Sequence, residues 1–143
     1  MPQLKPISAG SVPQRKERIS LRGCSIMIVE DEPLIALDLH SALYAVGAGI
    51  IAATDAAEAL RLISRNDISA AVIDVRLGER DSFDVCRALF QRRVPFLFYT
   101  GHAHAELLKE WPDVPVFSKP ARTLEVVACI ADLVHPGRPI EAI

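Results

Sequence analysis

Between Gly23 and His135, five short apolar runs alternate with stretches whose apolar positions recur every three or four residues. The first run, Ser25-Ile26-Met27-Ile28-Val29, shows no polar alternation, as expected of a strand covered on both faces. Pro33 suits the first turn of a helix. Ile35, Leu39, Ala42, Leu43 and Val46 follow at helical spacing, and Gly47 can end that helix. Residues 50–54 read as a weaker strand. Asp55 reads as the N-cap of a helix through Ala59, Leu60 and Ile63. The third run, Ser69-Ala70-Ala71-Val72-Ile73, ends at Asp74, and a loop over 76–80 leads to a helix near 82–91. Pro95 opens a fourth strand that ends at Thr100. A short polar helix over 104–111, a fifth strand over 114–118 and a last helix over 123–135 complete the pattern.

Five such β–α units predict an α/β fold with an all-parallel sheet, because right-handed crossovers place helices on both faces. A flavodoxin-like, doubly wound five-stranded sheet in the order 2-1-3-4-5 is the architecture expected. Residues 1–22 show neither periodicity. Pro2, Pro6, Pro13, Ser8, Gly10 and Ser11 mark a flexible tail ahead of one domain over 23–143.

With 143 residues, half of them apolar, the chain is one domain with a substantial core. Its formal charge of −2 argues against a dedicated nucleic-acid binder. The tail is locally basic, with Lys5, Arg15, Lys16, Arg18 and Arg22 against Glu17 alone. Cys24, Cys86 and Cys129 are widely spaced and form no Cys-x-x-Cys pair, which points to free thiols in a reducing compartment. No apolar run approaches a membrane span, and Glu30-Asp31 interrupts the first one before it could serve as a signal-peptide core. A cytoplasmic location is expected, with no membrane partner.

The strand ends carry the chemistry. Glu30-Asp31 follows the first strand, Asp74 the third, Thr100 the fourth and Lys119-Pro120 the fifth. Singly, each has an ordinary reading as a turn, cap or surface residue. Parallel strands bring all of them to one carboxyl edge, where open α/β sheets bind ligands. Three carboxylates, an ammonium and a hydroxyl suit a divalent cation and a transferable phosphoryl group.

In these residues, from Cys24 to about Val134, the chain resembles the receiver domain of two-component response regulators. The signature is an acidic pair after strand 1, Asp after strand 3, Thr or Ser after strand 4, and Lys-Pro after strand 5. Pro95-Phe96-Leu97-Phe98-Tyr99-Thr100-Gly101 further resembles the Pro-Phe-x-Phe-Ala-Thr-Gly motif of the "FAT GUY" receiver subgroup, with Tyr99 in place of its Ala. The resemblance implies that Asp74 accepts a phosphoryl group from a sensor histidine kinase or a phosphotransfer protein. It implies Mg²⁺ held by Glu30, Asp31, Asp74 and the backbone carbonyl of Arg76. Lys119 would balance the phosphoryl charge, Thr100 would donate its hydroxyl after transfer, and Lys119–Pro120 would be a cis bond. Arg76 and His102 occupy places that border the attacking water in receivers. Many receivers carry an aromatic switch three residues before the lysine. Here Val116 stands there, and strand alternation turns Phe117 to the other face.

The implied function is a single-domain signalling receiver, not a classical enzyme beyond its own phosphoryl transfer and loss. It would signal by protein–protein contact or act as a phosphoryl sink, since no output-domain motif follows. Two other readings compete. A haloacid-dehalogenase-type phosphatase wants a second Asp where Arg76 stands. A binding module would be either a receiver that no longer takes phosphate or a flavodoxin-like cofactor carrier, whose phosphate Glu30-Asp31-Glu32 would repel. On the last helix, Leu124, Val127, Ala128, Ala131 and Val134 form a stripe fit to face the sheet. Val126, Cys129, Ile130 and Leu133 form a second stripe. That surplus suggests homodimerisation or kinase docking through Val126, Ile130 and Leu133.

Overall fold

The structure, a computed structural model, describes residues 19–77, 80–101 and 105–137. Its main sheet contains β1 (Ser25–Val29), β2 (Gly49–Ala53), β3 (Ala70–Ile73), β4 (Phe96–Thr100) and β5 (Val116–Ser118). All four pairings are parallel, and the spatial order is β2-β1-β3-β4-β5. The helices are α1 (Pro33–Ala45), α2 (Ala56–Arg65), α3 (Phe83–Gln91), α4 (Ala105–Glu110) and α5 (Thr123–Val134). The order matches the doubly wound arrangement read from the sequence. One addition was not foreseen. The expected loop after β3 contains a two-stranded antiparallel ribbon, Arg76–Leu77 paired with Arg80–Asp81.

Successive strand residues point to opposite faces, and each face has its own core. Ile26, Ile28, Val72, Leu97 and Tyr99 pack with Leu39 and Leu43 of α1 and with Val126, Val127, Ile130 and Ala131 of α5. Met27, Val29, Ala71, Ile73, Phe96 and Phe98 pack with Ala59 and Ile63 of α2 and with Val85, Cys86 and Leu89 of α3. Each of the large side chains fully buried here is worth roughly 1.5–3 kcal/mol relative to exposure. The central strands β1 and β3 read as unbroken apolar runs because both faces are covered.

Local signals set the helix ends. The Asp55 carboxylate accepts the Glu58 N–H at 2.8 Å, and Glu58 returns an acceptor to the Thr54 N–H at 3.0 Å, closing a reciprocal cap on α2. Pro33 opens α1. Gly47 ends it at φ +96°, a conformation that a side chain would strain, and an added Cβ would sit 2.8 Å from Arg22 Cγ.

Two expectations need correction. The folded domain starts earlier than Gly23. Ile19 and Leu21 are buried in the α1/α5 core, and the Leu21 N–H donates to the Val46 carbonyl at 2.8 Å. The remainder of the expected tail, 1–18, lies outside the described residues. The second stripe of α5 is not a free surface either. Val126 and Ile130 are fully buried and Leu133 is half-buried, whereas Leu124, assigned to the sheet-facing stripe, is exposed. The reason is that α5 packs against α1 as well as against β3 and β4, so it needs a wider apolar arc than one sheet face demands. Val126 and Ile130 therefore offer no exposed surface to a homodimer.

The three cysteines are free thiols, Cys86 buried and the others half-buried. Burial, with a smaller contribution from the Asp132 charge, pushes the Cys129 thiol up. Among the described residues, no helix is long and apolar enough to cross a membrane.

Candidate functional site

The sheet register brings the strand ends level. Val29 pairs with Ala53 and Ile73, Ile73 with Phe98, and Thr100 with Ser118. Hydrogen bonding then runs one residue past β1 and β3. The Glu30 N–H donates to the Ala53 carbonyl at 3.0 Å and the Asp74 N–H to the Val29 carbonyl at 3.0 Å. Both carboxylates are thus anchored by the sheet, and both residues are buried, Glu30 at 2% and Asp74 at 3% exposure. Asp31, next in line, is exposed.

One carboxylate oxygen from each of Glu30, Asp31 and Asp74 lies within 4.8 Å of the others. Short backbone bonds hold two of them. Glu30 Oε2 accepts the Glu32 N–H at 3.1 Å, and Asp74 Oδ1 accepts the Arg76 N–H at 3.3 Å. An all-oxygen, partly open acidic set is chemistry that fits Mg²⁺, which takes few carboxylates and keeps several waters.

Lys119 closes the site from β5. Its backbone N–H donates to the Thr100 carbonyl at 2.9 Å, and the Lys119–Pro120 bond is cis. Its Nζ stands 2.8 Å from Glu30 Oε1, 3.0 Å from Asp74 Oδ2 and 2.7 Å from Glu32 Oε1. Burial pushes the Glu30 carboxyl up to about 7. The Asp74 charge adds to that, while Lys119 and the Glu32 N–H act the other way. On Lys119, burial favours the neutral amine, but hydrogen bonds to Glu30, Glu32 and Asp74 outweigh it, so the ammonium is held well above its ordinary range. Three carboxylates meet one ammonium here and Asp31 stands beside two of them, an acid-rich pocket suited to a divalent cation.

Thr100 is buried at the end of β4, and Gly101 beyond it is exposed. Val116 is exposed, and Phe117 is half-buried in the α1/α5 core beside Tyr99, as strand alternation predicts. His102 lies outside the described residues. Glu32 was missed as a site residue in the sequence. Its signal was the third acid of Glu30-Asp31-Glu32, but exposed acids are too common for that run to single it out. The tie between Thr123 Oγ1 and Asp38 Oδ2 at 2.8 Å, joining α5 to α1, had no sequence signal.

Residues 26–126 match the family profile described as "Response regulator receiver domain". Among curated proteins, the chain is 32% identical over 112 residues to the phyllosphere-induced regulator PhyR of Methylorubrum extorquens, covering 74% of this chain and 42% of that protein. It is 36% identical over 81 residues to the transcriptional regulatory protein TcrA of Mycobacterium tuberculosis, covering 55% of this chain and 32% of that protein. The chain thus spans under half the length of these relatives. Among solved structures, a response regulator receiver protein from Sinorhizobium medicae superposes with a TM-score of 0.73 at 25% identity, over 82% of this chain and 98% of that one. The receiver domain of a sensor histidine kinase from Pseudomonas aeruginosa, described with a magnesium ion coordinated in its active-site cleft, gives 0.68 at 23% identity, over 79% and 98%.

Proposed function

Since the chain belongs to the response regulator receiver domain family, we propose that it accepts a phosphoryl group on Asp74 in a Mg²⁺-dependent reaction. Members of this family are signalling domains of two-component systems. They are not classical enzymes, and their partners are histidine kinases or phosphotransfer proteins. The observation that supports the assignment most is the placement of Asp74 itself, a buried carboxylate with an ammonium at 3.0 Å and two further carboxylates beside it.

An Asp74 carboxylate oxygen attacks the phosphorus of a phosphohistidine. The P–N bond breaks, its electron pair leaves with the imidazole, and an acyl phosphate forms on Asp74. Transfer of this kind depends on positioning and charge neutralisation more than on acid–base chemistry. Glu30, Asp31, Asp74 and the Arg76 backbone carbonyl would hold the metal, which when bound supplies positive charge against the phosphoryl oxygens. Lys119 supplies the second positive charge, already desolvated and facing Asp74. Thr100, whose carbonyl accepts the Lys119 N–H across the β4–β5 pair, donates its hydroxyl to the phosphoryl group once transfer is complete. The reading extends to a cytoplasmic receiver that signals by protein contact or acts as a phosphoryl sink. It also extends to the FAT GUY subgroup, which the segment 95–101 favours.

Incubation with acetyl phosphate and Mg²⁺, followed by intact mass and a free-phosphate assay, tests this. One phosphoryl group retained per chain supports the receiver. Multiple turnovers of free phosphate without an adduct would favour phosphatase chemistry, and no reaction would favour a binding module.

A further inference from the structure

We propose that Tyr99 is a positioning residue for Lys119, acting through the backbone of Ala121; the inference rests on the phosphoryl-transfer reading above. Lys119 sits just past the end of β5, a strand of three residues, and α5 begins only at Thr123. Residues 119–122 therefore belong to no regular element. Arg122, at the N-cap position of α5, makes no side-chain capping bond. Something else must fix the turn that bears the ammonium.

Two consecutive residues of β4 do so. The Thr100 carbonyl accepts the Lys119 N–H at 2.9 Å. The Tyr99 hydroxyl accepts the Ala121 N–H at 3.2 Å and donates to the Ala121 carbonyl at 3.4 Å. One phenol oxygen thus meets both polar groups of a single residue. The Tyr99 ring is buried, and Lys119 Nζ lies 5.9 Å from its centroid, within cation–π range. Farther on, Thr123 is tied to Asp38 of α1.

Packing alone does not call for this hydroxyl, since a phenylalanine ring would fill the same volume, and a buried phenol left without partners is costly. Its bonds serve the turn. Lysine is a point charge on a flexible four-carbon stem, so Glu30, Glu32 and Asp74 can hold Nζ in place only while the backbone beneath it is held as well. Small displacements of a charge-neutralising group are felt strongly in the rate.

Tyr99→Phe keeps the ring and removes the hydroxyl. With acetyl phosphate and Mg²⁺, the rate constant for labelling Asp74 should fall roughly three- to tenfold, the scale of the net hydrogen-bonding contribution lost with the hydroxyl. The KM for acetyl phosphate and the Mg²⁺ affinity should stay within about twofold, because Glu30, Asp31 and Asp74 are untouched. A purely structural role would instead lower the melting temperature and leave the rate constant per folded molecule unchanged, which would overturn the proposal. Wild-type labelling separates the two claims. If the wild type is not labelled, the phosphoryl-transfer reading fails; if it is labelled and Y99F matches it, only the positioning role fails. Amide exchange at Ala121 in the wild type gives an answer that does not depend on how the variant folds. Slow exchange is expected, and fast exchange would contradict the proposal.

Discussion

Glu30 keeps its proton to an unusually high pH because burial and the neighbouring Asp74 charge outweigh the help from Lys119. With a folded value of about 7 against 4.5 unfolded, the stability that its neutral form contributes is complete below pH 4.5 and is lost as the pH rises through 7. Glu30→Gln fixes the neutral form. In metal-free protein its melting temperature should match wild type at and below about pH 4.5, exceed it increasingly up to about pH 7 and level off above that. A constant difference across that range would contradict the assignment. Glu32, bonded to the same ammonium, is largely exposed, so Glu32→Gln should change stability by no more than about 0.5 kcal/mol in chemical denaturation. Asp74→Asn keeps the shape, loses the nucleophile and should abolish labelling by acetyl phosphate. Thr100→Ala should still label if, as proposed, its hydroxyl acts after transfer. The identities of Glu30, Asp31, Asp74, Thr100 and Lys119 as candidates were legible because each ends an apolar run. The roles of Glu32 and Tyr99 were not, because their partners are the Lys119 side chain and the Ala121 backbone, whose positions only the folded turn fixes.

At the scale of elements, the sequence pattern located the five strands of the sheet and the five helices found among the described residues, because apolar run length and helical spacing are local properties. What it misjudged was neighbours. Ile19-Ser20-Leu21 is too short to register as an element, yet both apolar residues enter the core. Two apolar stripes on α5 were read as one buried and one free because a helical pattern does not count the surfaces packed around it. The structure changes the expected behaviour of Ile130. It is fully buried beside α1 and the sheet, so Ile130→Glu should unfold the domain instead of separating a dimer. Leu21→Ala should cost about 2–5 kcal/mol in urea denaturation, as for a core leucine. A loss under about 0.5 kcal/mol would return residues 19–21 to the tail.

For the molecule as a whole, the parallel sheet does the assembling. Its doubly wound order sets β1 and β3 side by side at the centre, so acids separated by more than forty residues face one another, and β4 and β5 add the hydroxyl and the ammonium. Crowding these carboxylates is tolerable in the folded state only with compensating charge. A cation that binds the folded chain alone stabilises it by mass action, about 1.4 kcal/mol for each tenfold excess over its Kd. Millimolar Mg²⁺ should therefore raise the melting temperature of wild type but not of Asp31→Asn, and an equal rise in both would place the metal elsewhere. The central claim is that Asp74 is the residue that takes the phosphoryl group. It is tested most directly by treating the chain with acetyl phosphate and Mg²⁺, reducing any acyl phosphate with borohydride and mapping the peptides. Homoserine at position 74, dependent on Mg²⁺, is the expected result; modification at Glu30 or Asp31, or none at all, would contradict the account.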